Sequence, residues 1–186
     1  MANSARQVTR SLPSPILIFA LGNPARGDDA LALWLVKSLA REISQAHAQL
    51  IVNYQLQIEH ALEFANRKLL LFIDAGDKTH APFEFAPVVA DQAMQHSTHS
   101  LSPAALLQVA RKIEVEMPPA FALVVSGQSF ALGDSLSTTA VANLTTATDF
   151  AKRLLAQPAL GKWQQYLTHP PEEHPATYGR TYPPPP

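Results

Sequence analysis

The feature that most constrains the fold is a short apolar run over residues 16–21, which reads Ile-Leu-Ile-Phe-Ala-Leu. It is rich in β-forming residues and apolar on both faces, which is typical of a parallel strand buried between two layers. The turn formers Gly22, Asn23 and Pro24 end the run, and a helical pattern follows them. This strand, turn and helix predict the first unit of an α/β fold.

Strand and helix signals alternate along the rest of the chain. Apolar residues recur at helical spacing from residue 31 to about residue 46, and further helices are predicted over 59–66, from Ser102-Pro103 onward, and from 136 to 156. Strands are predicted over 50–54, 68–73 and 120–125, with 83–89 as an edge strand because it includes Pro87 and follows Pro82. We therefore expect a single-domain three-layer α/β/α sandwich with a mostly parallel twisted sheet.

The two ends of the chain differ from its middle. Residues 1–14 are polar and predict a flexible leader, whereas residues 15–156 hold the strand and helix signals of the domain. Eight of the 16 prolines fall in residues 158–186, so the segment 157–186 is expected to be an extended or disordered tail.

Composition excludes several classes of function. The 14 basic and 15 acidic residues give a net charge of -1, which offers no electrostatic case for binding nucleic acid or an anionic membrane. The chain has no cysteine, so any metal must bind nitrogen and oxygen ligands, and a cysteine nucleophile is excluded. No convincing secretory signal precedes the first strand, and a cytoplasmic location is therefore expected.

Two adjacent acids, Asp28 and Asp29, follow the first strand where it gives way to a helix. In open α/β sheets, ligands bind in the crevice beyond the carboxyl ends of the strands, so acids at this place predict chemistry. The alternative is that an acid caps the helix and complements its dipole. One acid suffices for capping, so we expect at least one of the two to be functional.

Asp74 follows the apolar run of the third predicted strand and is expected to face the same crevice as Asp29, provided that the two strands are neighbours. Capping of the next turn is the alternative for Asp74. His96 and His99 lie in a polar loop, and a loop imidazole is a frequent third metal ligand beside two carboxylates. His99 is the better candidate because a helix start follows it closely. The remaining histidines, including His60, are expected at the surface.

Three segments in order closely resemble the nickel-iron hydrogenase maturation endopeptidases: Gly-Asn-Pro-Ala-Arg-Gly-Asp-Asp at 22–29, Ile-Asp-Ala at 73–75 and Thr-His-Ser-Leu-Ser-Pro at 98–103. The resemblance extends from about residue 15 to residue 156 and includes Leu-Ser-Thr at 136–138. It implies that Asp29, Asp74 and His99 are the catalytic residues and bind a metal, the nickel already installed in a hydrogenase large-subunit precursor. The implied reaction is hydrolytic removal of the precursor's C-terminal extension.

Many members of that family carry a Gly-Gly-Thr type segment after the second strand, where this chain has Tyr-Gln-Leu-Gln-Ile-Glu-His-Ala at 54–61. This segment resembles the branch that serves bidirectional NAD-linked hydrogenases. Gln55 and Glu59 of this segment are therefore expected to recognise the substrate, although Glu59 could instead serve as a first-turn acid of a helix. Asp28, the other acid of the pair, is also expected to recognise the substrate. Two other functions remain open at this point, namely a chaperone-like module that binds the precursor tail without cutting it and a general small-molecule hydrolase.

Overall fold

The computed structural model describes residues 14–40, 44, 47–90 and 101–167. Its strands are β1 (Ile16–Leu21), β2 (Ala48–Asn53), β3 (Leu69–Gly76), β4 (Phe83–Val88) and β5 (Ala120–Ser126). Its helices are α1 (Leu31–Leu39), α2 (Pro103–Lys112), α3 (Thr138–Ala156) and α4 (Leu160–Gln164), with two 3-10 helices at Gly27–Ala30 and Ile58–Phe64. Across these ranges, no helix is both long enough and apolar enough to cross a membrane.

The five strands form one sheet in the order β2-β1-β3-β5-β4. β1 pairs in parallel with β2 and β3, and β3 pairs in parallel with β5, whereas β4 is antiparallel to β5 and lies at the edge. The predicted α/β architecture with a mostly parallel sheet is confirmed. The structure also confirms that the strand containing Pro87 lies at the edge of the sheet and that the first and third strands are neighbours.

Apolar side chains cover both faces of the sheet, as the continuous apolar runs of β1 and β3 require. On one face, Leu71 and Ile73 of β3 share a core cluster with residues of α1, α3 and α4. On the other face, Leu70 and Phe72 share a cluster with α2 and the second 3-10 helix. Because side chains alternate along a strand, Asp74 continues the series of Leu70 and Phe72.

Two predicted boundaries differ from the structure by three or more residues. α1 ends at Leu39, before the expected end near residue 46, and the apolar residue Ile43 that extended the pattern lies outside the described residues. β3 continues beyond the apolar run because Asp74, Ala75 and Gly76 stay in register with Val124–Ser126 of β5. The end of the apolar run therefore did not mark the end of the strand.

The expected tail from residue 157 onward needs correction, because the structure adds α4 to the domain. Trp163 of this helix is fully buried, and its indole Nε1–H donates to the carbonyl of Leu154 at 2.9 Å. Its ring contacts Phe85 and Phe121 edge to face, at centroid distances of 6.2 and 5.3 Å. The proline content suggested a chain without a core, but one aromatic side chain is enough to fix this helix on the sheet. The expected leader over 1–13 and the segment 168–186 lie outside the described residues.

We predict that Trp163→Ala lowers the free energy of unfolding by about 3–5 kcal/mol, because it leaves a cavity between α4 and the sheet. Urea denaturation followed by circular dichroism measures this change. The matched control is Leu160→Ala, whose side chain is 39% exposed in the same helix, and it should cost far less. Equal losses from the two variants would contradict a specific role for the indole.

Candidate active site

The candidate site lies at the carboxyl ends of β1 and β3. The strands are parallel neighbours, and Ala20 is opposite Ile73, so Asp74 is level with Leu21, the last residue of β1. The first 3-10 helix, which holds Asp29, contacts β3. The topology therefore brings Asp29 and Asp74 to the same end of the sheet, at the carboxyl ends of its parallel strands, as the sequence predicts.

The Asp29 carboxylate is held against the turn that follows β1. Its Oδ2 accepts a hydrogen bond from the backbone N–H of Asn23 at 3.0 Å, and the residue is only 1% exposed. The Asn23 side chain in turn accepts from the N–H of Ala25 at 2.9 Å. Gly22 is required here, because a Cβ at this position would lie 1.9 Å from the carbonyl oxygen of Asp29. The glycine thus lets the turn pack directly on the backbone of the acid.

Asp74 is half-buried near the end of β3, on the sheet face covered by α2 and the second 3-10 helix. Its Oδ1 accepts a hydrogen bond from the N–H of Ala75 at 2.8 Å. Such a local bond is what the alternative role of Asp74 as a turn cap predicts, but β3 continues past this residue to Gly76.

His99, the third predicted ligand, and His96 lie outside the described residues. The described chain resumes at Leu101, which forms an antiparallel bridge with Leu56 on the same sheet face as Asp74. Within the described ranges, no three His, Cys, Asp or Glu side chains form a group that could hold a metal ion. The three-ligand set therefore stays a prediction that depends on His99.

Asp28 is placed differently from the expectation that it recognises substrate. It is completely buried, and its carboxylate accepts four hydrogen bonds from segments more than 95 residues away in sequence. The donors are the N–H groups of Gln128 and Ser129 at 2.7 and 3.0 Å, and both the N–H and the hydroxyl of Ser137 at 2.7 and 2.8 Å. Both oxygens are occupied inside the protein, so Asp28 is a structural residue.

This network also sets the ionisation of Asp28. Burial by itself raises the pKa of the carboxyl, but the N–H groups of Gln128, Ser137 and Ser129 and the Ser137 hydroxyl outweigh it, so the pKa is below its ordinary value. Ser137 is the N-cap of α3, where its Oγ also accepts from the N–H of Ala140 at 3.2 Å. The N-cap was visible in the sequence, whereas its pairing with Asp28 was not.

Gln55 and Glu59, the other two residues expected to recognise substrate, are exposed. Gln55 follows the carboxyl end of β2, where the carbonyl of Asn53 accepts from the N–H of Gly22 at 3.2 Å. Glu59 lies in the first turn of the second 3-10 helix, as the helix alternative required. Both side chains thus reach solvent on the segment next to the Asp29 turn.

His60 is not a simple surface residue, contrary to the sequence-based expectation. Its ring packs 5.4 Å from the ring of Phe19, and its Nδ1 accepts from the N–H of Gln57 at 3.0 Å. The Gln57 side chain accepts from the backbone N–H of His60 in return. This reciprocal cap fixes the start of the second 3-10 helix.

The fold is similar to solved structures of hydrogenase maturation proteases. HybD, a hydrogenase maturating endopeptidase from Escherichia coli, aligns with a TM-score of 0.61 and 21% identity over 77% of this chain and 93% of that chain. HycI, a nickel-iron hydrogenase maturation protease from Thermococcus kodakarensis, gives a TM-score of 0.61 and 18% identity over 78% and 94%. An Escherichia coli endopeptidase determined in solution gives 0.59 and 20% over 77% and 93%. The chain therefore has the fold of hydrogenase maturation endopeptidases.

Comparison of the sequence with protein-family models and with curated proteins found no match.

We predict that Asp28→Asn lowers the free energy of unfolding at pH 7 by about 1–3 kcal/mol, because an amide nitrogen would face N–H donors. The pKa of Asp28 is lowered in the folded state. Its contribution to the free energy of unfolding is therefore present above the unfolded pKa of about 4 and is lost as the pH falls through the lower pKa of the folded state. Urea denaturation is measured at pH 7 and at several values below pH 4. The difference in urea midpoint between the variant and wild type should become smaller as the pH falls. A difference that does not change with pH, or an equal loss of stability in the exposed control Asp77→Asn, would contradict this role.

Proposed function

We propose that this protein is an endopeptidase that removes the C-terminal extension of a nickel-loaded hydrogenase large-subunit precursor. The observation that carries the proposal is the position of Asp29 and Asp74 at the carboxyl ends of neighbouring parallel strands, in a fold shared with hydrogenase maturation endopeptidases. The resemblance of the segments 22–29, 73–75 and 98–103 to that family supports it further.

In this proposal, Asp29, Asp74 and His99 contact the nickel ion that the precursor brings with it. Two carboxylate oxygens and one imidazole nitrogen are a suitable ligand set for Ni²⁺ and leave positions open for ligands from the precursor. The ion is thus part of the substrate, and its presence reports that the precursor is loaded.

The reaction is hydrolysis of one peptide bond. Water adds to the scissile carbonyl carbon, the C–N bond breaks, and the departing nitrogen takes up a proton. Two sources of assistance fit the residues: a carboxylate of the pair accepts the proton of the attacking water, or the ion polarises the carbonyl. In both cases the half-buried Asp74 is the more accessible of the two acids.

Recognition of the precursor is assigned to Gln55 and Glu59, on the segment that differs from the commoner pattern of the family. Its resemblance to the branch for bidirectional NAD-linked hydrogenases makes a large subunit of that type the expected precursor. The cytoplasmic location expected from the sequence is part of the same proposal.

We predict that Asp29→Asn, Asp74→Asn and His99→Ala each reduce processing of the precursor at least about 100-fold, because each removes a group that contacts the ion or the reacting atoms. Intact mass of the large subunit after incubation with each variant measures the loss of the extension. The matched controls are Asp77→Asn, three residues after Asp74, and His96→Ala, three residues before His99. Processing at the control rate by any of the three variants would remove that residue from the site.

We also predict that a precursor without nickel stays at full length, since three ligands from separate segments form a weak site until the substrate completes the coordination. The same mass measurement compares loaded and unloaded precursor. Equal cleavage of both would mean that recognition depends on protein surfaces alone. A loaded precursor that binds but is never shortened would instead support the chaperone-like module.

A further inference from the structure

Three large apolar side chains are exposed on the segment that follows β2. Tyr54, Ile58 and Leu62 are 65%, 63% and 64% exposed, although they lie within nine residues of each other. Together with Glu59 they form what we call the Tyr54–Leu62 surface. Single exposed apolar side chains are ordinary, but three of them within nine consecutive residues, together with an exposed acid, make this segment a candidate binding surface.

The backbone beneath the Tyr54–Leu62 surface is fixed. Leu56 is buried and bridges Leu101, while Ala61 and Phe64 belong to the core on the same sheet face. The reciprocal cap between Gln57 and His60 holds the intervening turn. The apolar side chains are therefore presented outward by an ordered segment, which lowers the entropy that a partner must overcome on binding.

The surface begins beside the turn that holds Asp29. Tyr54 directly follows Asn53, whose carbonyl accepts from the N–H of Gly22, and the next residue in that turn, Asn23, donates to Asp29. A chain bound along the surface thus has one end near the Asp29 turn. This continuity favours a role for the surface in holding the substrate.

The charge of the surface indicates what binds there. Glu59 is exposed, and within the described residues its carboxylate makes no ion pair, whereas the neighbouring Glu63 is paired with Arg67 at 3.7 Å. Two copies of this chain meeting on a twofold axis would bring their Glu59 carboxylates into one apolar interface, which is unfavourable. A segment that combines apolar side chains with a cation would cover the exposed apolar groups and also pair with the Glu59 carboxylate.

Building on the proposed function, we propose that the Tyr54–Leu62 surface docks a segment of the hydrogenase precursor in which apolar side chains flank a Lys or Arg. The apolar groups cover Tyr54, Ile58 and Leu62, and the cation pairs with Glu59 as the interface excludes water. Glu59 is in this account a specificity-determining residue, and it does not take part in bond cleavage.

The test is steady-state processing of the loaded precursor by the full-length protein. Ile58→Ser, Leu62→Ser and Glu59→Lys should each raise KM about tenfold with kcat unchanged, which corresponds to about 1.4 kcal/mol of binding. Val141→Ser, an exposed apolar residue on α3 across the sheet, and Glu116→Lys, an exposed acid in the segment before β5, are the controls and should leave both constants unchanged. A precursor with one Lys or Arg changed to Glu should regain affinity for the Glu59→Lys variant only.

Several results would overturn the docking proposal. One is an unchanged KM in all three variants. A second is a wild-type dimer that these substitutions dissociate in sedimentation analysis, since a second copy would then occupy the surface. A third is a melting temperature that falls by several degrees in the isolated variants but not in Val141→Ser, since the chain itself would then cover the surface. If wild type fails to shorten the precursor, the proposed function fails, and the Kd of the precursor for the same variants still decides the docking proposal.

Discussion

The buried carboxylate of Asp28 is the interaction on which the geometry of the candidate site depends. It joins the turn after β1 to the loop after β5 and to the first turn of α3 through four hydrogen bonds. Removing a charge from water is costly unless donors replace the hydration, and here four donors do so. The same network fixes the backbone of the next residue, Asp29. A structural acid thus positions a candidate functional one.

The two adjacent acids can serve different purposes because of the short 3-10 helix that carries them. Successive side chains on such a helix point about 120° apart. Asp28 reaches the β5 loop and α3, while Asp29 reaches the N–H of Asn23 at the end of β1. Gly27 supports this arrangement with a φ of +52°, and a Cβ there would lie 2.6 Å from the carbonyl of Ser129. The sequence Gly-Asp-Asp therefore encodes a support and a site side by side.

Local patterns predicted most of the fold, because the information for buried strands is local. The apolar runs of β1, β3 and β5 and the caps Ser102 and Ser137 are each visible within a few residues. The role of Asp28 was not, since its partners are 100 to 109 residues further along the chain. Trp163 was missed for a related reason: composition averaged over a proline-rich segment hides one aromatic residue whose partners lie on β4 and β5.

Identities near 20% to the solved hydrogenase maturation proteases are compatible with one fold because few positions need a particular residue. Apolar residues in the strands are interchangeable if volume and pattern are kept, whereas Gly22 and Asp28 have contacts that another residue would break. Function then depends on side chains placed on this common scaffold. The segment after β2 combines a core-facing side, held by Leu56 and Phe64, with an outer side that contributes nothing to the core. Substitutions on its outer side therefore leave the core contacts of Leu56 and Phe64 in place.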